Sequence, residues 1–471
     1  MDYKINYFLN LGWNFNDYHR IGLTVIGSNL NNAGSGDGNG ASSLNFPYRG
    51  KPYYDEQTKK LTNISLTYEG KTADGSKEWL ARYFAGKSDY DTYQRFGELE
   101  PGNPSEFTST FGKNDFQGAQ AQFAWDFDIV KIVTGVDWLQ YKVTQTQPVI
   151  PSQPSTRKND TQSKYTNIGV FLLGRLRLLA ERNLVFSFGV RHDETDVDIQ
   201  LERTNYSRHD KRKFSKTIPS AGLSYSPLDY LKFRLNYGQA FVTPTPRNLV
   251  GNFYMGSTLF LGNPNLEPEK SATWEGGFDI DYEGVTSSFT YFYTKYDNYI
   301  GTLARQTIDG QTGTLYINIK DVTISGFEAS FAVDFGRLLG WEFKLEPYVN
   351  WTHLEKFEDS IGRKLPSLNQ DAASFGVDFN YPKFDLSAGL SATYYGRPDS
   401  TSFSSGTKPA QRGGAMVYDL SLTKGLINFT DNQGISLKVS VRNMFNKEYD
   451  IINNLDQPGR NFYIALVYNY K

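Results

Sequence analysis

Cysteine is absent from this 471-residue sequence, and histidine occurs only four times. Without cysteine the protein can form neither a disulfide framework nor a thiolate metal site. Long apolar runs are also missing: the mean hydropathy is -0.52, and no segment reaches the roughly 18 apolar residues that a membrane-spanning helix needs. The net charge of -2 does not supply the basic surface typical of nucleic-acid-binding proteins. These absences exclude a helical membrane protein and argue against a nucleic-acid partner.

Familiar catalytic motifs are absent as well. The sequence has no Gly-x-Ser-x-Gly elbow, no His-Glu-x-x-His pair, no phosphate-binding glycine loop and no EF-hand spacing. The densest polar group, residues 192–198, is divided between two faces if this segment is a strand, so we interpret it as a solvated strand end and not as a metal site. We therefore predict no enzymatic activity, no cofactor and no metal site.

Alternation of apolar and polar residues recurs along the whole chain, and this period of two is typical of β-strands. Residues 231–237 show it most clearly, because Lys232, Arg234 and Asn236 separate the apolar positions. The apolar residues of the five clearest segments are Leu184, Phe186, Phe188 and Val190; Leu231, Phe233, Leu235 and Tyr237; Phe327, Ala329, Phe331 and Val333; Leu386, Ala388, Leu390 and Ala392; and Ile435, Leu437, Val439 and Val441. The apolar run 170–180 is the main stretch that could equally form a helix.

The connections between these predicted strands alternate between short and long. Short turns are predicted at 16–17, 180–183, 226–229, 283–284 and 381–383, and long polar loops at 29–60, 148–164, 242–269 and 397–413. Short periplasmic turns and long extracellular loops are typical of transmembrane β-barrels, whose spans hold about ten residues. Aromatic residues, 15% of the chain, gather beside the short turns. They fit an interfacial girdle, although aromatics also favour ordinary strands.

The number of predicted strands decides which face meets lipid. We count roughly 19 strands, and a barrel of that width encloses an aqueous or plugged lumen instead of a side-chain core. The apolar face must then point outward, so Leu231, Phe233 and Leu235 are predicted to face lipid, and Lys232 and Arg234 the lumen. No composition break divides the chain. The sequence therefore predicts one all-β domain over residues 1–471, a transmembrane antiparallel β-barrel.

Four segments resemble TonB-dependent outer-membrane receptors. "GNPNLEPEKSATWEGGFDIDY", residues 262–282, is similar to the family's Asn-Pro-(Asp/Asn)-Leu-x-Pro-Glu signature and the barrel strand that follows it. "YGQAFVTPTPRNL" (237–249) resembles the preceding strand and loop entry, and "NIKDVTISGFEASF" (318–331) also matches. "VRNMFNKEYDIINNLDQPGRNFYIALVYNYK" (441–471) resembles the family's last two strands. The resemblance is specific in the C-terminal half and rests on hairpin rhythm in the N-terminal half.

The resemblance implies a location, several partners and a missing part. It places the chain as a monomer in the bacterial outer membrane, in contact with lipid and lipopolysaccharide, and its aromatic-ended last strand resembles the signal that the barrel assembly machinery recognises. Family members carry an N-terminal plug and a segment that engages a TonB-type energy-coupling protein, and neither has a counterpart here. The family barrel has about 22 strands. We therefore expect the plug and about three strands to precede residue 1 in the complete receptor.

Two groups of residues are candidate ligand contacts. A predicted loop at 202–213 carries a basic cluster that could attract an anionic ligand, or could contact lipopolysaccharide phosphates. The long loop 242–269 carries aromatic rings suited to stacking on a chelator or corrin, or to packing within the loop itself. The residues predicted to contact the ligand are Arg208, Lys211, Arg212, Lys213, Phe253 and Tyr254.

These observations lead to a functional prediction with alternatives. We predict a receptor for energised uptake of an iron chelate, most specifically a ferric siderophore. Cobalamin or haem is the alternative within the family, although the axial histidine that haem receptors of the family carry in loop 242–269 is missing. A passive porin-like channel and a loop-bearing surface binding protein are the alternatives from other classes.

Overall fold

The structure is a computed structural model of the chain. It describes residues 3–36, 53–96, 106–147, 159–179, 183–203, 206–250, 253–255, 258–308, 311–365, 368–396, 414–430, 433–452 and 455–470. Nearly all of this part of the chain is strand, as the alternation predicts.

Long strands joined by short turns make up the first half. Their bounds are β1 Tyr3–Asn16, β2 His19–Gly36, β3 Tyr53–Lys71, β4 Lys77–Phe96, β5 Glu106–Asp126, β6 Val130–Gln147, β7 Asn159–Leu178, β8 Leu184–Arg203, β9 Tyr206–Leu228 and β10 Leu231–Val242. The stretch 170–180, which was ambiguous in sequence, is strand up to Leu178.

The second half adds shorter elements that belong to loops. The helices are α1 Pro246–Val250, α2 Phe335–Leu339 and a 3-10 helix Pro382–Phe384. The remaining strands are β11 Phe253–Met255, β12 Thr258–Leu261, β13 Glu269–Tyr282, β14 Val285–Asp297, β15 Tyr299–Ile308, β16 Gln311–Ile319, β17 Val322–Val333, β18 Lys344–Glu358, β19 Asp371–Tyr381, β20 Leu386–Tyr395, β21 Ala415–Thr430, β22 Gln433–Arg442, β23 Asp450–Ile452, β24 Leu455–Asp456 and β25 Asn461–Tyr470.

Nineteen of the strands form one antiparallel sheet, which agrees with the number counted in the sequence. The sheet is not closed. The chain divides into two compact units, of which the first holds residues 1–221, 238–271 and 297–319 and the second holds 222–237, 272–296 and 320–471. The two units are described separately below.

In the first unit each strand from β1 to β8 pairs with the next along the chain. The registers bring Leu66, Tyr83, Ala119, Trp138 and Ile168 side by side on one surface of β3–β7. We call this surface the apolar face. The opposite surface, the polar face, carries Ser65, Arg82, Gln120, Asp137 and Asn167 at the neighbouring positions, because successive side chains of a strand point to opposite sides.

The second unit shows the same division. Phe233 and Leu235 are 46% and 49% exposed on its apolar face, where Phe289 stacks between Phe278 and Phe327. Arg234 points to the polar face and donates to Asp279 at 2.8 and 3.0 Å. The last strand, β25, pairs with β22, and its register places Phe462 and Ile464 opposite Val441 and Val439. Residues of both faces of β25 are exposed, Tyr463 among them. The predicted division into two faces is therefore confirmed on β10.

Short turns that the sequence predicts are present in the described part of the chain. β1 and β2 are separated by Asp17 and Tyr18, and β13 and β14 by Glu283 and Gly284, both with positive φ (44° and 98°). This geometry suits a tight hairpin, and glycine adopts it without steric cost. The turn predicted at 180–183 lies mostly outside the described residues.

A further short turn joins β3 to β4. In it Asp74 accepts hydrogen bonds from the Thr72 hydroxyl at 2.5 Å and from the Ser76 hydroxyl at 2.8 Å. These bonds stabilise the ionised carboxylate and lower the pKa of Asp74 to about 2.

Aromatic side chains pair beside the short turns in each of the two units, where the sequence analysis predicted them. The pairs and their ring-centroid distances are Trp13–Phe15 at 4.2 Å, Phe123–Trp125 at 4.1 Å, Tyr230–Tyr282 at 4.9 Å, Trp341–Phe343 at 5.0 Å and Tyr381–Phe384 at 4.9 Å.

Several predicted loops are shorter than expected, and these predictions are wrong in their bounds. Loop 29–60 contains the ends of β2 and β3, and loop 202–213 is almost entirely strand, since β8 ends at Arg203 and β9 begins at Tyr206. The reason is that polar residues extend a hairpin into water as readily as apolar residues extend it through lipid, because the backbone hydrogen bonds are the same. The basic cluster therefore lies on β9 and obeys strand alternation.

Candidate ligand-binding site

Residues 262–269, the signature segment, pack against the polar face of β7, β8 and β9. Leu266 is 0% exposed and belongs to a buried cluster with Leu249 of α1, Tyr165 of β7, Val197 of β8 and Phe214 of β9. Burying a leucine stabilises a structure by roughly 2 kcal/mol. The polar face thus carries a small group of apolar side chains where the loop packs on it.

Hydrogen bonds from the strands fix the loop on both sides of Leu266. The Tyr165 hydroxyl donates to the carbonyl of Pro244 at 3.0 Å. The Arg212 guanidinium donates to the carbonyl of Pro264 and, at 3.5 Å, to that of Leu266. Prolines have no N–H but offer a carbonyl, so a donor on the wall is the partner that this segment needs.

Asparagine side chains hold the signature segment in shape and connect it to the loop around β16. Asn263 accepts from the backbone N–H of Asn265 at 2.9 Å, a local turn, and its amide donates to the carbonyl of Tyr316 on β16 at 3.0 Å. Asn318 accepts from the N–H of Glu267 at 2.8 Å and donates to its carbonyl at 2.9 Å. The segment therefore joins two loops that are far apart in sequence.

A four-stranded sheet completes this assembly. β11 pairs with β12, β12 pairs in parallel with β16, and β16 pairs with β15. The carboxylate of Glu269 accepts from the N–H of Ile300 at 2.6 Å, at the start of this sheet. We call α1, the signature segment and these four strands the loop module.

The family-like segment 441–471 contains an asparagine that also holds a loop in shape. In the second unit Asn443 is 3% exposed. Its N–H donates to Asp419 at 2.7 Å, its side-chain oxygen accepts from the N–H of Lys447 at 2.7 Å, and its amide donates to the carbonyl of Lys447 at 2.8 Å. Asn443 thus shapes the start of the connection from β22 to β25.

The structure separates the predicted basic residues. Lys211 and Lys213 point to the apolar face, where Lys211 lies 3.3 Å from Asp198 and Lys213 pairs with Glu194. Arg212 points the other way, to the signature segment, and its guanidinium lies over the Phe214 ring at 5.3 Å. The three cations therefore form no single patch.

The other predicted contacts are described less fully. Phe253 and Tyr254 lie on β11, where their backbones pair with Phe260 and Leu259. The side chains of Phe253, Tyr254 and Arg208 lie outside the described residues.

Ion pairs on the polar face escaped the sequence prediction. Arg191 contacts Asp137 at 2.6 Å and Asp193 at 2.7 Å, and Arg82 donates to Ser65 at 2.8 Å. Strand alternation could have indicated them, since Asp137 lies between the apolar residues Val136 and Trp138, and Arg191 and Asp193 are two residues apart and so share one face. Parity also separates Asp193 from His192 and Glu194, as predicted. Among the described residues no group of three metal-ligating side chains is close enough to hold an ion.

All four histidines lie on the apolar face. His19 contacts the Tyr68 hydroxyl at 3.0 Å, and His192 contacts that of Thr217 at 2.9 Å. His209 lies 2.7 Å from Asp198, and His353 lies 2.8 Å from Asp371. Their neighbours in register, such as Val170 beside His192 in the first unit and Phe327 beside His353 in the second, lie on the apolar face of the same unit.

No helix within the described ranges is both long and apolar enough to span a membrane.

Comparison with known families identifies the architecture. The family model described as "TonB dependent receptor-like, beta-barrel" matches residues 2–444. This chain belongs to that family. An outer-membrane location follows from the family, whose apolar face contacts lipid and whose polar face lines the lumen. The family and the similar solved structures are transporters and receptors, which argues against an enzymatic role for this chain.

Solved structures of TonB-dependent receptors share the fold. The copper transporter OprC is 16% identical, with a TM-score of 0.76, over 98% of this chain and 71% of that chain. The siderophore receptor PirA of Acinetobacter baumannii is 17% identical, with a TM-score of 0.68, over 98% and 70%. The hemophore receptor HasR of Serratia marcescens, solved with its hemophore HasA and heme, is 15% identical, with a TM-score of 0.70, over 99% and 71%. Their different cargoes show that this TonB-dependent fold does not determine the substrate.

Proposed function

We propose that this chain forms the barrel of an outer-membrane receptor for a metal chelate, and specifically for a ferric siderophore. The observation that carries the proposal is the loop module, which is held against the polar face of β7–β9 by Leu266, Tyr165 and Arg212. The polar face lines the lumen in the family, so a module docked on this face could contact a ligand in the lumen. Uptake would further require a plug and a TonB-type coupling protein.

Within the loop module we assign the ligand contacts to Phe253, Tyr254 and Arg212. Rings on β11 can stack on an aromatic or flat chelate. Arg212, alone among the three predicted cations whose side chains are described, points to the lumen side. Lys211 and Lys213 act on an anionic ligand only through their field, which salt screens over about 8 Å at physiological ionic strength.

Haem is the weaker alternative. The haem receptors of the family use an axial histidine, and all four histidines of this chain lie on the face opposite to the lumen. A siderophore carries its iron already coordinated, so it needs no ligand from the protein. Cobalamin shares this property and is the remaining alternative within the family.

A binding titration on the purified receptor tests the proposal. Catecholate, hydroxamate and carboxylate ferric siderophores, haem and cobalamin are titrated separately by calorimetry. We expect one siderophore class to bind and haem not to bind. Saturable binding of haem or cobalamin, with none of the siderophores, would contradict the assignment.

The matched variants examine the assigned contacts. Replacing Phe253 and Tyr254 by alanine is expected to weaken the bound siderophore about tenfold, because each stacking contact is worth about 0.5–1.5 kcal/mol. Replacing Tyr18 and Phe127, exposed at short turns, by alanine is the control and should leave affinity unchanged.

A conductance measurement separates a receptor from a passive channel. In planar bilayers a receptor is expected to stay closed without ligand, because a plug and the loop module would obstruct its lumen. A stable open conductance without ligand would favour the porin-like alternative.

A further inference from the structure

The hairpin β15–β16 of the loop module contains a β-bulge. Its register shifts between Leu303 and Gln306, so that two residues, Ala304 and Arg305, lie opposite the single residue Thr314. The side-chain amide of Gln306 donates to the carbonyl of Ala304 at 3.1 Å, which holds the bulge in shape. Bulges are frequent beside functional sites, where they redirect a side chain. This bulge therefore takes Arg305 out of the regular alternation of β15.

The backbone of Arg305 is strained. Its φ is 57°, in the left-handed region where a Cβ is disfavoured and where a bulge normally uses glycine. Nine described residues other than glycine have positive φ, and six of them are Asp or Asn, which tolerate this region. Of the other three, Leu179 and Glu283 lie at connections between strands, and only Arg305 lies within a strand. A strained residue of this kind points to a function that needs its side chain.

The charge of Arg305 has no counterpart in the part of the chain that the structure describes. The residue is exposed, and its side chain forms neither an ion pair nor a hydrogen bond with any described residue. Arg212, which also lies against the loop module, is different. It donates to the carbonyls of Pro264 and Leu266 and lies 3.7 Å from Glu267. Arg305 is therefore a cation of the module that is available to an anion from outside.

Two threonine hydroxyls lie at the same end of the hairpin. Thr307 and Thr312 are paired in the register, and their hydroxyl oxygens are 2.8 Å apart. Each hydroxyl has one hydrogen, so the pair keeps one hydrogen for a further acceptor. Thr307 is two residues from Arg305, which is roughly 7 Å along the strand. This end of the hairpin thus offers a cation and a neutral donor to an oxygen-rich anion.

We propose that Arg305 is a ligand-binding residue of the loop module and makes the receptor select negatively charged ferric chelates over neutral ones. This inference rests on the proposed function, because the ligand is the chelate proposed there. A ferric tris-catecholate is an anion, since its doubly deprotonated catecholates outweigh the ferric charge, whereas a ferric tris-hydroxamate is neutral. The planar guanidinium can donate two parallel hydrogen bonds to the oxygens of such an anion. Glycine at this position would relieve the strain but would remove the contact.

Titration calorimetry with charged and neutral chelates tests the selection. The purified receptor is titrated with ferric tris-catecholate and ferric dicitrate, which are anions, and with a neutral ferric tris-hydroxamate. We expect one of the anions to bind most tightly. Arg305→Asn, in which asparagine tolerates the left-handed backbone, should weaken that binding about thirtyfold and leave any hydroxamate binding unchanged. Arg305→Lys keeps the charge and should lose much less affinity.

Two further variants separate a ligand contact from a structural role. Glycine adopts positive φ without steric cost, so Arg305→Gly should slow hydrogen exchange at the amides of β15 and β16 about fivefold. Its affinity for the anion should nevertheless fall as in the asparagine variant. Faster exchange would mean that the arginine stabilises the hairpin, and would overturn the proposal. Lys71→Asn removes an exposed lysine at the short-turn end of β3 and should change neither affinity nor exchange.

The outcomes distinguish this inference from the proposed function. Unchanged anion affinity in Arg305→Asn, equal losses for anionic and neutral chelates, or a wild-type preference for the hydroxamate would overturn the role of Arg305 while leaving a siderophore receptor. Binding of none of the three chelates by the wild-type receptor would overturn the proposed function and this inference with it.

Discussion

The two faces of β7–β9 are built from the same strands and differ in what covers them. On the polar face Tyr165, Val197 and Phe214 are almost inaccessible, because the loop module packs over them. On the apolar face Ile168 and Val170 remain 48% and 49% exposed, because no described part of the chain packs over them; in the family this face contacts lipid. An apolar side chain on such a sheet therefore does not by itself indicate which face it lies on; what packs against it must also be known. Burial by protein marks the place where a loop is docked.

The largest effect is expected when this docking is broken. Leu266→Ala should destabilise the loop module by about 2–5 kcal/mol, because it empties a fully enclosed position. Hydrogen exchange at the amides of residues 263–267 measures the change. Leu172→Ala on the apolar face is the matched control and should leave those amides protected. Equal exchange in both variants would mean that the two faces do not differ as described.

A charge placed on the lipid side sharpens the same comparison on β10. Leu235→Arg should cost about 2–4 kcal/mol near the middle of a membrane span. Arg234→Leu should cost less, although it removes the donors to Asp279, Ser288 and Thr290, because lumenal water can replace them. Urea unfolding in lipid vesicles provides the measurement. Similar losses for the two variants would count against the lipid assignment of this face.

Neighbouring residues of the basic cluster should behave differently. Arg212→Ala removes a charged donor to two carbonyls of the signature segment and should cost about 1.5–3 kcal/mol in loop docking. Lys211→Ala removes an exposed ion pair and should cost less than about 1 kcal/mol. Limited proteolysis of the loop module compares them. A larger effect for Lys211 than for Arg212 would contradict their placement.

The smallest expected effect concerns a single hydroxyl. Tyr165→Phe leaves the Pro244 carbonyl without its donor and should cost about 1 kcal/mol. Tyr83→Phe on the apolar face loses an exposed bond to Gln117 and should have almost no effect. Thermal unfolding of the two variants, measured side by side, tests the difference.

The sequence predicted the sheet well because its signal is local. A period of two indicated the strand count, and the tight turn at Glu283–Gly284 followed from residue types. The ends of the strands were not predictable in this way, since polar hairpins extend beyond the membrane. That error placed the basic cluster on a loop. If residues 206–228 had been treated as a strand, alternation alone would have placed Arg212 and Lys211 on opposite faces.

The signature segment was recognisable in sequence, but its contacts were not. Two prolines and two asparagines indicated a stiff polar approach to a strand. Nothing local indicated that Asn263 donates to Tyr316, which is 53 residues away, or that Arg212 supplies donors from β9. Such partners depend on tertiary packing, and a single sequence does not reveal it.

The parallel pairing of β12 with β16 also constrains the order of assembly. Phe260 and Leu261 pair with Thr314 and Leu315, and the chain between them includes the hairpin β13–β14. Closing this long-range contact costs more chain entropy than closing any neighbouring hairpin. The loop module should therefore form after the strands that it packs against. Newly inserted receptor would then pass through a stage in which it is anchored in the membrane but cannot yet bind a chelate. Pulse-labelling hydrogen exchange during refolding would show late protection of β12 and β16 if this is so, and early protection if it is not.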